Sequence, residues 1–127
     1  MRSINELCDI VRETAFAIHC YHRNGHLEKI YENALVHRLR KIGLDVEQQR
    51  PLAVFDEDGT VLGEFFSDVI VENRLLVELK ATRHVAEEHI AQLLGYLRSS
   101  RIETGLLLNF GSPRLHVKKY LMSDSLD

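Results

Sequence analysis

Two apolar, strand-like segments between residues 64 and 80 carry charges that a folding core would avoid. The first, Glu64-Phe65-Phe66-Ser67-Asp68-Val69-Ile70-Val71, encloses Asp68; the second, Leu75-Leu76-Val77-Glu78-Leu79-Lys80, ends in an acid and a base. The tight polar turn Glu72-Asn73-Arg74 joins them. Pairing the two as a hairpin brings Asp68 close to Glu78, and strand alternation puts Glu78 and Lys80 on one side. Leu75-Leu76-Val77 is apolar at every position, so both faces of this strand are expected to be covered. Two carboxylates and an ammonium at the end of a buried strand are what a divalent-metal site with a water-orienting lysine requires.

The periodicity around this pair describes one α/β domain. Ser3-Ile4-Asn5-Glu6 has the form of a capping box, and Ile4, Leu7, Cys8, Val11, Ala15 and Ile18 follow helical spacing, predicting a helix over 3–23. A second helix is predicted over 27–42, ended by Gly43. The period then becomes two: a strand from Val46 to Phe55, a turn at Asp56-Glu57-Asp58-Gly59, a return strand from Thr60 to Val71, and a third from Leu75 to Lys80. Residues 86–100 read as a helix, Thr104 to Phe110 as a buried central strand, and Leu115 to Leu121 as an edge strand that offers a route to homodimerisation. The domain is expected to span 1–127, with an extra N-terminal helix over 1–24, a core over 25–121, and a frayed tail over 122–127.

Composition narrows the function. A net charge of −3 on 127 residues leaves no global electrostatic footprint for nucleic acid, which counts against a tight nonspecific binder. It counts less against a metal-dependent nuclease, whose cations offset its own carboxylates. No apolar run approaches the roughly 20 residues of a membrane span and Met1-Arg2-Ser3-Ile4-Asn5-Glu6 lacks a signal-peptide core, so no membrane partner is expected. Two cysteines that cannot pair point to a reducing cytoplasm. Cys8 and Cys20, on one helix, lie about 18 Å apart and cannot form a disulfide. The seven histidines are scattered, with no pair spaced for zinc on one helix face.

Two further clusters carry chemistry. Glu28 and Glu32 are four apart at the start of the second helix, on one face. First-turn acids favour a helix N-terminus in any case, but Glu28 is also placed to supply a third carboxylate. On the helix after Lys80, Gln92 and Tyr96 share a face, and Gln92 shares its side with His89. The basic residues Arg83, Arg98, Arg101, Arg114, Lys118 and Lys119 supply phosphate contacts if the fold gathers them.

Gly25-x-x-Glu28-x-x-Tyr31 matches the signature of the GxxExxY proteins, a family of the PD-(D/E)xK nuclease superfamily. The resemblance runs from Gly25 to Gly111 and takes in Asp68, Val77-Glu78-Leu79-Lys80, His89-x-x-Gln92-Leu93-Leu94-x-Tyr96 and Gly105 through Gly111. It implies an α-β-β-β-α-β core, a mixed sheet flanked by helices, in the order already read from periodicity. It also implies a nuclease acting on nucleic acid, DNA before RNA, with Mg²⁺ or Mn²⁺. In that resemblance Asp68, Glu78 and the Leu79 carbonyl hold the metal, with Glu28 as a further acid and Glu32 as the lesser candidate. Lys80 orients the attacking water, Gln92 with Tyr96 supports the site, and His89 lies in reach of substrate. Ser67 stands where the superfamily often has proline, and Phe66-Ser67 where the family commonly has an arginine. The competing readings are a nucleic-acid- or protein-binding module that keeps the fold without cleaving, and an interaction domain in which Asp68, Glu78 and Lys80 form only an ion-pair network.

Overall fold

The computed structural model describes residues 1–125 and contains eight elements: α1 (Ile4–His22), α2 (Glu28–Lys41), β1 (Val46–Phe55), β2 (Val61–Val71), β3 (Leu75–Lys80), α3 (Glu87–Ser100), β4 (Thr104–Asn109) and β5 (His116–Leu121). Their bounds follow the periodicity to within a residue. The Ser3 hydroxyl accepts from the Glu6 N–H (3.1 Å) and Glu6 Oε1 accepts from the Ser3 N–H (3.3 Å), so the capping box starts α1. Both cysteines lie on this helix, and both are free.

The strands form one sheet in the order β1-β2-β3-β4-β5. Its pairs are antiparallel except β3 with β4, which the α3 crossover makes parallel. Strand alternation divides the core in two. Val69, Val71, Val77, Leu79, Leu106 and Leu108 face α1 and α2, where they meet Val11, Ile18, Tyr31, Leu35 and Leu39. Ile70, Leu76 and Leu107 face α3 and meet Leu93, Leu94 and Leu97. Every residue of β3 except Lys80 is buried, and so is all of β4. That is the both-faces burial expected from Leu75-Leu76-Val77.

The hairpin from β2 to β3 turns through Glu72 and Asn73, both at positive φ (52° and 54°), closed by the Arg74 N–H on the Val71 carbonyl (3.0 Å). This is the backbone twist that tight hairpins favour. At the C-terminal end, Met122 N–H donates to the Glu103 carbonyl and Asp124 accepts from the Leu121 N–H, so hydrogen bonding runs through the first part of the segment expected to fray. Residues 126 and 127 of that segment lie outside the described residues.

One side-chain oxygen anchors the loops at the end of β3 and β4. Asn109 Oδ1 accepts from both the Thr82 N–H (3.1 Å) and the Gly111 N–H (3.0 Å). Gly111 lies so close to Thr82 that a Cβ would stand 2.2 Å from its backbone N and O. Gly111→Ala is therefore expected to lower stability by about 3 kcal/mol, at the upper end of overpacking costs. Gly63→Ala, where a Cβ meets nothing within 4 Å, should be close to neutral. Chemical denaturation of the two variants checks this, and equal stabilities would refute the close-approach account.

Candidate active site

The centre of interest is the point where β2 and β3 part. Their ladder runs Val71↔Leu75, Ile70↔Leu76, Val69↔Val77 and stops. The next pair in register is Asp68 with Glu78, and here side chains replace the backbone ladder. Asp68 Oδ2 accepts from the Leu79 N–H (2.9 Å), and Glu78 Oε1 accepts from the Asp68 N–H (3.3 Å). Beyond the fork β3 continues to Lys80 paired with β4 alone, while β2 runs on with β1. The N–H and C=O of one strand residue point to the same edge. Leu79 aims its N–H at Asp68, so its carbonyl also opens into the fork, whereas the Lys80 carbonyl is taken on the other edge by the Phe110 N–H (2.8 Å).

Across the fork stands Gln49, a residue that the sequence reading missed. It sits within β1 at φ 54°, and the Gln49–Asp68 pair is the one gap in the β1–β2 ladder between Val46 and Val54. A left-handed conformation at a non-glycine residue costs about 1–2 kcal/mol. Strand alternation slips at this pair: counting by twos from Ile70 puts Phe65 on the α2 face, yet Phe65 stacks on Tyr96 of α3 (centroids 3.9 Å apart, 8° between planes). The Gln49 amide donates to Glu32 Oε1 (3.1 Å) and to Asp68 Oδ1 (3.3 Å), tying the helix acid to the strand acid. Glu32 is only 2% exposed and also accepts from Lys29 Nζ (2.8 Å) and Gln48 Nε2 (2.6 Å). Ser67, fully buried at the same slip, has a hydroxyl without a partner among the described residues.

Glu28 enters from the first turn of α2. Burial raises its pKa first, then the charge of Asp68, with Lys80 acting in the opposite sense. The Gly25-to-Tyr31 segment explains how it is placed. Gly25 turns at φ 116°, and the buried Tyr31 hydroxyl donates to the Arg23 carbonyl (2.5 Å) while accepting from the His26 N–H (3.1 Å). Tyr31 also stacks on Phe110 (4.6 Å, 10°), so the loop before Glu28 is fastened to the end of β4.

Lys80 is half-buried, and its ammonium has no hydrogen bond or ion pair among the described residues; the ion-pair network of the third reading is not formed. Tyr96 lies beside the acids: burial raises its pKa, followed by the charges of Glu78 and Asp68. Gln92, one turn away, is exposed, and its side chain makes no hydrogen bond among the described residues. His89 is occupied in the fold, its Nδ1 accepting from the Ala86 N–H (3.1 Å) at the start of α3.

Among the described residues no three acid, histidine or cysteine side chains converge on one point. The donor set at the fork is therefore two carboxylates and the Leu79 carbonyl, all oxygen. That fits a hard divalent cation which keeps several of its waters, and does not fit zinc on histidine or thiolate.

A model of the PD-(D/E)XK nuclease superfamily matches residues 5–120. The chain belongs to this superfamily. Among solved structures, that of SSO0001 aligns with a TM-score of 0.63 at 19% identity, over 76% of this chain and 50% of that one. The likeness shows the fold, a mixed five-stranded sheet with helices on both faces, and the chain spans half the length of that protein. No curated protein matches the sequence. No helix among the described residues is long and apolar enough to cross a membrane.

Within this superfamily fold the Glu78 carboxyl is the most perturbed group. Burial, then the adjacent charge of Asp68, pushes its pKa up to about 10 from an ordinary 4.5. The folded chain thus holds a proton that the unfolded chain releases above pH 4.5, so the metal-free fold loses stability as pH rises from there toward about 10. The slope for one such proton is at most about 1.4 kcal/mol per pH unit. In chelator, the thermal midpoint of the wild type is expected to fall between about pH 5 and pH 9. Glu78→Gln should flatten that fall and exceed the wild type at the alkaline end. Parallel curves for the two proteins would show that Glu78 titrates normally.

Proposed function

We propose that the β2–β3 fork is the active centre of a Mg²⁺- or Mn²⁺-dependent nuclease that hydrolyses nucleic-acid phosphodiester bonds, in the GxxExxY branch of the superfamily. The observation that carries this reading is the juxtaposition at one break in the ladder of Asp68, Glu78 and the Leu79 carbonyl, with the unpaired Lys80 on the following residue. DNA is the first substrate to test.

Asp68, Glu78 and the Leu79 carbonyl would hold the ion, and Glu78 surrenders its proton to do so. When bound, the metal supplies Lewis-acid polarisation of the scissile phosphate and a lowered pKa for the attacking water. Lys80 places a positive charge where negative charge develops on the phosphoryl oxygens. Glu28, with its proton affinity raised by burial and by Asp68, is suited to take the proton of the attacking water. Gln49 and Glu32 act through Asp68, holding Oδ1 from the helix side so that Oδ2 stays on the Leu79 N–H. Tyr96 walls the site from α3, and the exposed Gln92 is left free to meet substrate.

Phe66 favours a second reading. Phe66, 53% exposed, and the buried Ser67 stand where the family commonly carries an arginine, so neither offers phosphate a cation, and a module that binds without cleaving is the alternative.

The deciding measurement joins thermal unfolding to cleavage of a labelled DNA oligonucleotide. Mg²⁺ or Mn²⁺ should raise the wild-type midpoint, by about 1.4 kcal/mol of stability at a tenfold excess over Kd, and Asp68→Asn should abolish the rise. Lys80→Ala should keep the rise and lose cleavage. A metal response with no cleavage by the wild type would favour the binding module, and no metal response would overturn the metal site. Gln49→Asn tolerates the left-handed backbone but shortens the amide. It is expected to raise the metal concentration needed for the thermal shift roughly tenfold, as loss of a group orienting a ligand does. An unchanged titration would remove Gln49 from the site.

A further inference from the structure

One strand away from the fork, on the α3 face, lies a groove of about 400 Å³ walled by Arg83 and His84 on one side and by His116 and Lys118 of β5 on the other. We infer that this groove carries the phosphate backbone of the nucleic acid flanking the bond to be cut, an assignment that rests on the nuclease reading of the fork.

The charge of the groove is the first support. Its lining contains two permanent cations and two histidines and no carboxylate, on a chain whose net charge is −3. The Arg83, His116 and Lys118 side chains make no ion pair with an acid among the described residues; Lys118 Nζ lies over the Tyr120 ring at 5.8 Å. Cations gathered without partners repel one another, and a polyanion supplies what the fold withholds.

Register is the second. Lys80 pairs with Asn109, and Asn109 with His116; Glu78 pairs with Leu107, and Leu107 with Lys118. Two rows thus run across the sheet from the fork into the groove. Asn109 and Leu107 form the floor, and His116 and Lys118 stand two strand spacings, about 10 Å, from Lys80 and Glu78. The third is rigidity. Asn109 Oδ1 holds the Thr82 N–H, so the loop that presents Arg83 and His84 is fastened to that floor before any ligand arrives. A polyanion crossing the sheet at the fork meets fixed positive charge along the next two strands.

The test uses the 127-residue chain carrying Asp68→Asn, expected to bind without cutting, and a labelled DNA oligonucleotide followed by anisotropy across a salt series. Adding Arg83→Gln and Lys118→Gln should weaken binding about tenfold or more at low salt. It should also reduce the slope of log affinity against log salt by about 1.4–1.8, the loss of two phosphate contacts. Arg98→Gln with Arg101→Gln removes equal charge at the far end of α3 and should leave both quantities unchanged. Equal losses in the two double variants would reduce the effect to net charge and overturn the groove, as would binding unaltered by the groove substitutions. The same groove pair in an otherwise wild-type chain should keep the metal-dependent thermal shift. That separates failure of the groove from failure of the fork: a retained shift with salt-insensitive, groove-independent binding sinks only the groove. Groove-dependent binding without cleavage by the wild type sinks only the enzyme reading.

Discussion

The site depends on a ladder that stops. Had β2 and β3 stayed paired past Val69 and Val77, their backbones would have satisfied each other and the charges of Asp68 and Glu78 would have been stranded in a core. Instead the strands part, and each acid accepts a backbone N–H that the ladder left over. One event thereby satisfies two orphaned donors, aims the Leu79 carbonyl into the gap, and leaves two carboxyl groups close enough that one keeps its proton far above the ordinary range. A divalent cation bound between them would relieve that repulsion.

Everything else at the fork serves to hold it open in one geometry. On the helix side, Tyr31 fastens the loop after α1 to Phe110 and so sets where α2 begins and where Glu28 enters. Glu32 works one turn later, through Gln49, on the oxygen of Asp68 that the Leu79 N–H does not use. On the α3 side, the Phe65–Tyr96 stack brings Tyr96 beside the acids, whose charges add to burial in raising the proton affinity of its hydroxyl. The backbone strain at Gln49 sits where a strained residue is expected, beside the group whose position matters most.

Much of this was legible because period and burial are local properties. Leu75-Leu76-Val77 announced a strand covered on both faces, and the same alternation put Glu78 and Lys80 together at its end. Asp68 was found opposite Glu78 because a short polar turn leaves a hairpin little choice of register. The glutamine at position 49 was hidden for the converse reason. Its importance lies in a left-handed conformation and in contacts with residues 17 and 19 positions away, and neither leaves a periodic trace. The cap made by His89 was hidden as well: a histidine there reads as a substrate contact or a solvated side chain, and its Nδ1 on the Ala86 N–H is a contact that spacing alone does not give. A capping role was the signal available, since the third helical position is where side chains return to the cap.

The chain by itself determined the order and extent of its elements, the two-sided burial of β3, and the acids and lysine of the fork, because side-chain period and charge placement are written residue by residue. Tertiary structure alone decided that the ladder stops at Val69, that Glu32 reaches Asp68 through Gln49, and that Arg83, His84, His116 and Lys118 share a groove while Arg98 and Arg101 do not. Those outcomes follow from strand register and from how helices lie across a sheet. Both are settled by packing between segments far apart in sequence, where no local pattern records the result.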